Sequence, residues 1–270
     1  MTSRFIIIFG IVLTLLGKSV TAGGMSYLDH QVFSHGYVDF HNAGALDIFQ
    51  YPFALTGKKL TLQTSYRSLY GLSELSDNRA GLTYSFNKYQ LAAGFSNFGK
   101  SNYFQQTGMS LAGNYTCREI SFGLSLIYSR ISFNEKYNSQ SAIIVNSGLM
   151  FKVKNISGYG LIRAINKPSY IVNKRDIPTE AELGASYKNK TGLDSQIKFL
   201  FIQYQKPTAE ISQDFQMVEY AHINWALVLA PVRVGAGLKF EHRKMTFEYK
   251  FSHHPVLGLT HSVLLGIGRK

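Results

Sequence analysis

The chain has 270 residues, with 28 Lys+Arg against 16 Asp+Glu, 24 glycines, 6 prolines and one cysteine. At 45% hydrophobic and 16% charged residues it is not a solvated disordered chain, and the lone cysteine excludes a disulfide framework and any cysteine-built zinc site. Plentiful glycine, 19 Phe and 17 Tyr with little proline suit long antiparallel strands better than a helical bundle.

Residues 1–22 read as a secretory signal. Arg4 supplies the positive start, Phe5–Gly17 is an apolar run of 13 residues, and Val20-Thr21-Ala22 offers a small-residue cleavage site. The run is shorter than the ~20 residues that span a bilayer. Its removal leaves Gly23 as the first residue and lowers the net charge from +12 to +10, because Arg4 and Lys18 go with it. The best later apolar stretch, Trp225–Ala230, stops at Pro231 and is followed by Arg233, so a helical membrane protein is excluded.

From residue 59 onward the recurring period is two. It is audible at 59–67, 79–87, 89–97 and 105–116, then clear where Ile120, Phe122, Leu124, Leu126 and Tyr128 alternate with Ser121, Gly123, Ser125, Ile127 and Ser129. It continues at 142–153 and 155–165, and at Glu180–Tyr187, where Ala181, Leu183, Ala185 and Tyr187 oppose Glu180, Glu182, Gly184 and Ser186. Further segments lie at 194–205, 215–229, 232–241, 245–252 and 259–267. Most are about nine to twelve residues long, the length of a tilted membrane-spanning strand.

Tight connections at Asn87-Lys88, Cys117, Lys154-Asn155 and Asn189–Leu193 alternate with polar loops at 68–78, 98–104, 131–141, 166–178 and 206–214. Outer-membrane barrels have this asymmetry of short periplasmic turns and longer outward loops. The polar face carries Gly, Ser and scattered charges, as a wet lumen requires. Tyr66, Tyr70, Tyr89, Tyr103, Phe104, Tyr128, Phe133, Tyr187 and Phe251 fall near strand ends, where aromatic girdles sit. The expected fold is therefore all-β, an antiparallel transmembrane β-barrel with its apolar face outward. The competing arrangement, a secreted soluble β-domain with that face inward, predicts solubility without detergent.

Short motifs then suggest a family. Asn42-Ala43-Gly44-Ala45-Leu46 resembles the Asn-Pro-Ala-Gly-Leu motif of the PorV/PorQ family, outer-membrane proteins related to FadL-type transporters. Pro178-Thr179, with Leu183-Gly184 and Tyr187, is similar to that family's Pro-Thr-x-x-x-Leu-Gly-x-x-Tyr strand. Ile162–Asn166 resembles the strand before it, Val218-Glu219-Tyr220 a Gly-x-Glu-Tyr strand, and Leu257-Gly258-Leu259-Thr260-His261 the closing Leu-Gly-x-Thr-His turn. The matches run in family order over about residues 40–267. The resemblance implies a 14-strand barrel over 58–270, with residues 23–57 forming a small plug in the lumen. Periodicity alone counts thirteen segments, and a barrel with both ends periplasmic needs an even number. Either two strands are merged within 215–242 or a hairpin is missing, which would leave twelve.

Nothing in the sequence is a catalytic constellation, and no cofactor site or metal site is expected. The eight histidines form no His-x-x-x-His or His-Glu-x-x-His pattern. His30, His35 and His41 with Asp29 and Asp39 read as polar plug residues, and His253-His254 as turn residues beside Pro255. Cys117 reads as a free thiol in a periplasmic turn. The basic excess is spread over loops and suits lipopolysaccharide phosphates or anionic periplasmic partners; an exported chain of this kind excludes nucleic acid. The family-signature positions Asn42, Gly44, Leu46, Pro178, Thr179, Gly184, Tyr187, Glu219, Tyr220, Leu257, Gly258, Thr260 and His261 are expected to be structural.

The resemblance implies a non-enzymatic bacterial outer-membrane barrel. The first expectation for its role is an accessory component of type IX-like protein secretion, binding secretion-system proteins or exported substrates. The alternative is a FadL-like transporter of hydrophobic small molecules. A transporter of hydrophobic molecules needs an apolar pocket reached from outside and a movable plug near residues 24–50, against which the mostly polar inner face and small plug argue; a secretion component needs a partner surface on loops 68–78, 131–141 and 166–178.

Overall fold

The computed structural model describes residues 37–100, 104–133, 139–170, 175–189, 191–229, 232–254 and 257–269. The expected signal and the first part of the plug, including His30 and His35, lie outside the described residues.

Fourteen antiparallel strands close into a barrel. They are β1 Leu60–Ser68, β2 Ser76–Phe86, β3 Tyr89–Lys100, β4 Phe104–Cys117, β5 Ile120–Phe133, β6 Gln140–Val153 and β7 Ile156–Arg163. After a small luminal hairpin, β8 Ser169–Tyr170 with β9 Arg175–Asp176, the wall resumes with β10 Glu180–Lys188, β11 Leu193–Ile202, β12 Thr208–Val218 and β13 Ala221–Leu229. It ends with β14 Val232–His242, β15 Met245–His254 and β16 Gly258–Arg269. The first and last strands pair from Leu60↔Arg269 to Ser68↔His261, so no sheet edge is left. In a bilayer every backbone donor and acceptor must be satisfied internally, and closure does this.

The alternation resolves with its apolar face outward. Ile120, Phe122, Leu124, Leu126 and Tyr128 are 41–56% exposed, while Ser121, Ser125, Ile127 and Ser129 are buried. The inner wall is polar elsewhere too: Thr61, Gln63, Arg67, Asp77, Gln90, Asn114, Asn146, Gln196 and Asp214 are all buried. A water-soluble sandwich would show the opposite distribution.

Two-residue turns begin in the left-handed region at Asn87, Arg118, Lys154 and Arg243 (φ 50 to 55°), a geometry whose twist suits tight hairpins. One connection differs from the sequence reading: the turn is Arg118-Glu119, and Cys117 is the exposed last residue of β4. The short turns share one end of the barrel with the start of β1 and the end of β16, and the longer loops share the other. Tyr84, Phe86, Tyr89 and Tyr115 form a stacked aromatic row outside the turn end, with centroids 5.1–5.9 Å apart. Phe104 and Phe133 were expected in such a girdle. They instead follow the inward-facing alternation at the loop end, where Phe104 packs on Phe98 and Phe133 at 6.0 and 5.5 Å.

The thirteenth-strand ambiguity resolves as a merger. The expected loop 206–214 is mostly β12, and the segment 215–229 spans the end of β12, a turn at Glu219-Tyr220 and all of β13. Val218-Glu219-Tyr220 is thus a strand end and turn, not a strand. A register irregularity between Gln216 and Val218 precedes that turn.

At the other end β7 stops at Arg163 while β6 continues, and the chain leaves the wall at Ala164 (φ 54°). Asn166 substitutes for the missing neighbour, accepting from Val145 N at 3.0 Å and donating to Ile143 O at 2.8 Å. Tyr170 and Ile177 then pack with Ile127, Ala142 and Ile144, closing that side of the loop end with an apolar cluster.

Candidate functional site

The described part of the plug, residues 37–57, lies inside the barrel. Val38, Phe40, Ala43, Ile48, Tyr51, Phe53 and Ala54 form a core with Ala92, Ala112, Met150, Tyr159 and Leu161 of the wall. Phe40 meets the rings of Tyr159 and Tyr51 at 4.7 and 5.1 Å. Two glycines make the seat. A side chain at Gly123 would run into the Pro52 carbonyl, and one at Gly148 into the Phe53 ring. These glycines face each other across β5 and β6, so the polar face is bare where the plug presses on it.

Polar contacts fix the plug to one arc of the wall. Tyr37 OH donates to Asp194 (3.2 Å), Val38 N to Gln196 (3.4 Å) and Lys188 to Asp39 (3.0 Å). His41 Nε2 lies 2.8 Å from Ser157 Oγ; Asn114 donates to Ala54 O at 2.8 Å, and Thr56 N to Gln90 at 3.1 Å. Leu46 N donates to Gln63 of β1 at 3.1 Å. Burial and the nearby Lys152 and Lys188 hold the His41 imidazole below its usual pKa. Burial alone would raise the Asp39 carboxyl, but Lys188 and the His41 N–H overcome it and hold Asp39 below the usual carboxylate range.

A buried ionic cluster backs this arc. Arg163 bridges Glu180 (3.3 Å) and Glu182 (2.9 Å), Tyr159 OH donates to Glu182 at 2.6 Å, and Lys198 pairs with Glu210 at 3.2 Å. The Tyr51 ring has both Arg163 and Lys198 5.6 Å from its centroid, and Lys198 reaches its hydroxyl at 3.4 Å. Charges removed from water need this degree of pairing to persist. Here they clamp the plug's aromatic centre onto β7, β10, β11 and β12.

The opposite arc is open. A cavity of about 350 Å³ lies at the turn end, bounded by plug residues Tyr37, Asp39, Asn42, Gly44 and Asp47 and by inward residues of β1 and β12–β16. A second, of about 100 Å³, lies at the loop end beside Arg67, Asp77, Arg79, Ala226, Gly235, Thr260 and Ser262. In the latter Asp77 bridges Arg67 (2.6 Å) and Arg79 (2.7 Å). Asp47, Asn224, Glu248, Lys250 and Leu264 border both cavities. Asp47 begins a helical turn, Asp47–Gln50, and its carboxylate reaches back to accept from Gly44 N at 2.8 Å, tying the turn before it. Burial pushes its carboxyl above the usual range, against Lys250 and that N–H.

The family-signature positions do not converge on one site. Asn42, Gly44 and Leu46 shape the plug, and Glu219 reaches the turn-end cavity. Thr179 secures the return from the luminal hairpin, its Oγ1 donating to Ala164 O at 3.2 Å and its N–H to Gln203 Oε1 at 3.2 Å. Pro178 precedes it at the foot of β10. Gly184 accommodates the Tyr159 ring, while Tyr187 and Tyr220 are exposed on the outside. Leu257 is exposed and Gly258 starts β16 at φ 97°. Thr260 accepts from Tyr70 N at 3.3 Å, and His261 Nδ1 lies 2.7 Å from Tyr249 OH. Among the described residues no group of three or more His, Cys, Asp and Glu is arranged to hold a metal ion. The sequence reading missed Asp47, Asn224, Glu248 and Lys250, whose only signal was their place on polar faces.

No protein-family model matches the chain, and no curated protein matches it in sequence. Among solved structures it is similar to the toluene transporter TbuX of Ralstonia pickettii: TM-score 0.68 and 7% identity, over 88% of this chain and 100% of that one. It is also similar to a Pseudomonas aeruginosa FadL homologue, with TM-score 0.59 and 10% identity over 87% and 96% of the two chains. The TodX monoaromatic hydrocarbon channel, as a deltaS2 mutant, gives TM-score 0.52 and 9% identity over 77% and 87%. The 14-strand barrel fold is therefore shared with these three structures, one of them a FadL homologue.

Proposed function

We propose that this chain is a FadL-like transport barrel of the bacterial outer membrane, exported by a cleaved signal, that admits small molecules past its luminal plug. The observation that carries the reading is the plug itself, seated inside a closed 14-strand wall with a cavity at each end. Open space beside a luminal plug is what a transporter needs, although the larger cavity is lined mostly by polar and charged groups and not by the apolar pocket expected for a hydrophobic solute. The neighbours with named solutes are a toluene transporter and a monoaromatic hydrocarbon channel, so a small hydrophobic molecule is the first cargo to test.

The comparisons support this transport reading more than the accessory role in secretion, whose support is the order of the short motifs alone. The test is uptake of labelled toluene by cells lacking other hydrocarbon channels, with and without this chain. Faster uptake that depends on the folded barrel supports transport. Unchanged uptake, together with recovery of secretion-system proteins on the purified barrel, would replace it with the secretion role.

A further inference from the structure

The plug divides the lumen unequally. Its aromatic core and most of its hydrogen bonds engage one arc, chiefly β3–β7, β10 and β11, with Leu46 N also donating to Gln63 of β1. The loop-end cavity opens on the other arc, and the turn-end cavity runs from that arc to Lys188 and Asp194 beside the plug's first residues. There Gly235 of β14 borders the loop-end cavity with no side chain. At Gly237, the next inward position, Asn224 and Lys250 close over the strand: a side chain would meet Asn224 Oδ1 at 2.7 Å and Lys250 Cγ at 2.8 Å. The two chambers are separated by a single tier in which Asp47 of the plug faces Asn224, Glu248 and Lys250.

We infer that this arc is a hydrophilic permeation route past a stationary plug, with Asp47, Glu248 and Lys250 as its charge-selective tier and small cations as the favoured solutes. The inference rests on the transport reading for the barrel's place in the membrane but goes beyond it, because hydrocarbon uptake requires no ionic path. Three features carry it together. The chambers share their dividing residues, among them the Glu248–Lys250 ion pair at 2.9 Å, and opening that pair is a side-chain motion, fast compared with moving a packed plug. The plug's aromatic core and ionic clamp lie on the far side and need not open. The turn-end chamber is lined by seven carboxylates against four lysines; Lys188 pairs with Asp39 and Asp194, Lys239 with Glu241 and Lys250 with Glu248, so the acidic excess is net and not of one sign. The loop-end chamber balances Asp47, Asp77 and Glu248 against Arg67, Arg79 and Lys250, which leaves the turn-end excess to set the preference for cations.

The test is planar-bilayer conductance of the purified full chain in KCl gradients, after unboiled gel migration has established a folded barrel. The expected result is a steady small conductance without plug removal and a reversal potential favouring K⁺ over Cl⁻. The preference should weaken as salt rises and the Debye length falls from ~10 Å at 0.1 M to ~3 Å at 1 M. Lys250→Glu should strengthen it, Asp47→Asn and Glu248→Gln should weaken it, and Gly235→Leu should cut the conductance by filling the loop-end chamber. A silent folded barrel overturns the inference, as does a conductance whose selectivity these three charge changes leave unmoved. Toluene uptake by the same silent barrel would leave the transport reading standing. A chain that never inserts would remove both.

Discussion

The outward apolar face makes a quantitative demand on substitutions. Leu124 lies on the outer face of β5, 41% exposed and paired with Ser147 and Gly113. Four residues separate it from Ile120 at the turn end, which at ~3.3 Å per residue is about 13 Å along the strand. With a tilt near ~40° that is about 10 Å in height, close to the middle of an apolar band ~25 Å tall. Leu124→Arg should therefore cost about 2–4 kcal/mol of folding free energy in lipid vesicles. Val153→Arg, also on the outer face but at the turn end, should cost about 0–1 kcal/mol. Ser262→Glu, facing the loop-end cavity between Arg67 and Lys250, should stay within about 1 kcal/mol because its charge meets opposite partners. Urea titration of folding into phosphatidylcholine vesicles, followed by tryptophan fluorescence and by unboiled gel migration, measures all three. Equal costs at the three positions, or a larger cost at Ser262 than at Leu124, would refute the orientation.

Gly123→Ala should unseat the plug, because the added methyl meets the Pro52 carbonyl, whereas Gly113→Ala finds its nearest neighbour, a Leu91 methyl, at 3.4 Å. Limited proteolysis should then release fragments from 37–57 in the first variant alone, with the barrel intact in both. Arg163→Met should lose about 3–5 kcal/mol by stranding Glu180 and Glu182; adding Glu180→Gln and Glu182→Gln should restore much of it, as urea midpoints in vesicles would report. Plug seating should weaken in mild acid. His41 has its pKa lowered in the folded chain, so its contribution is present above the unfolded value of ~6.5 and is lost as pH falls below it toward the folded one. Proteolysis of the plug should rise between pH 7.5 and 5.5, and His41→Gln should remove that step. Asp39, also lowered, contributes above the ordinary carboxylate pKa of ~3.9 and loses its share only below it.

Much of the wall was legible because a period of two is a local property. β10 alternates without interruption, β5 breaks only where Ile127 stands on the inner face, and the turn at Asn87 falls on a residue type that tolerates the left-handed region. β12 hid because its polarity does not alternate cleanly: Gln213 stands on the outer face beside Ile211 and Phe215, and the turn Glu219-Tyr220 contains neither Gly, Asn nor Pro. Phe104 and Phe133 were misplaced because an aromatic at a strand end looks the same from either side of the wall. The plug's position depends on contacts distant in sequence, such as Val38 with Gln196 and Ala54 with Asn114, and no periodicity encodes those. The glycines at 123 and 148 were visible as breaks in side-chain size on the polar face. Only the folded chain shows what fills them. The dividing tier of Asp47, Glu248 and Lys250 was beyond reach for the same reason, since its members meet only after the barrel closes.

The most direct test of the central claim uses the only tryptophan, Trp225, which lies on the outer face of β13 at 40% exposure. Refolded into vesicles of brominated phosphatidylcholine, the protein should show strong quenching of Trp225 fluorescence, with a blue-shifted maximum and little response to aqueous acrylamide. Efficient acrylamide quenching with no effect of brominated lipid would mean that this face meets water, and would contradict the membrane barrel.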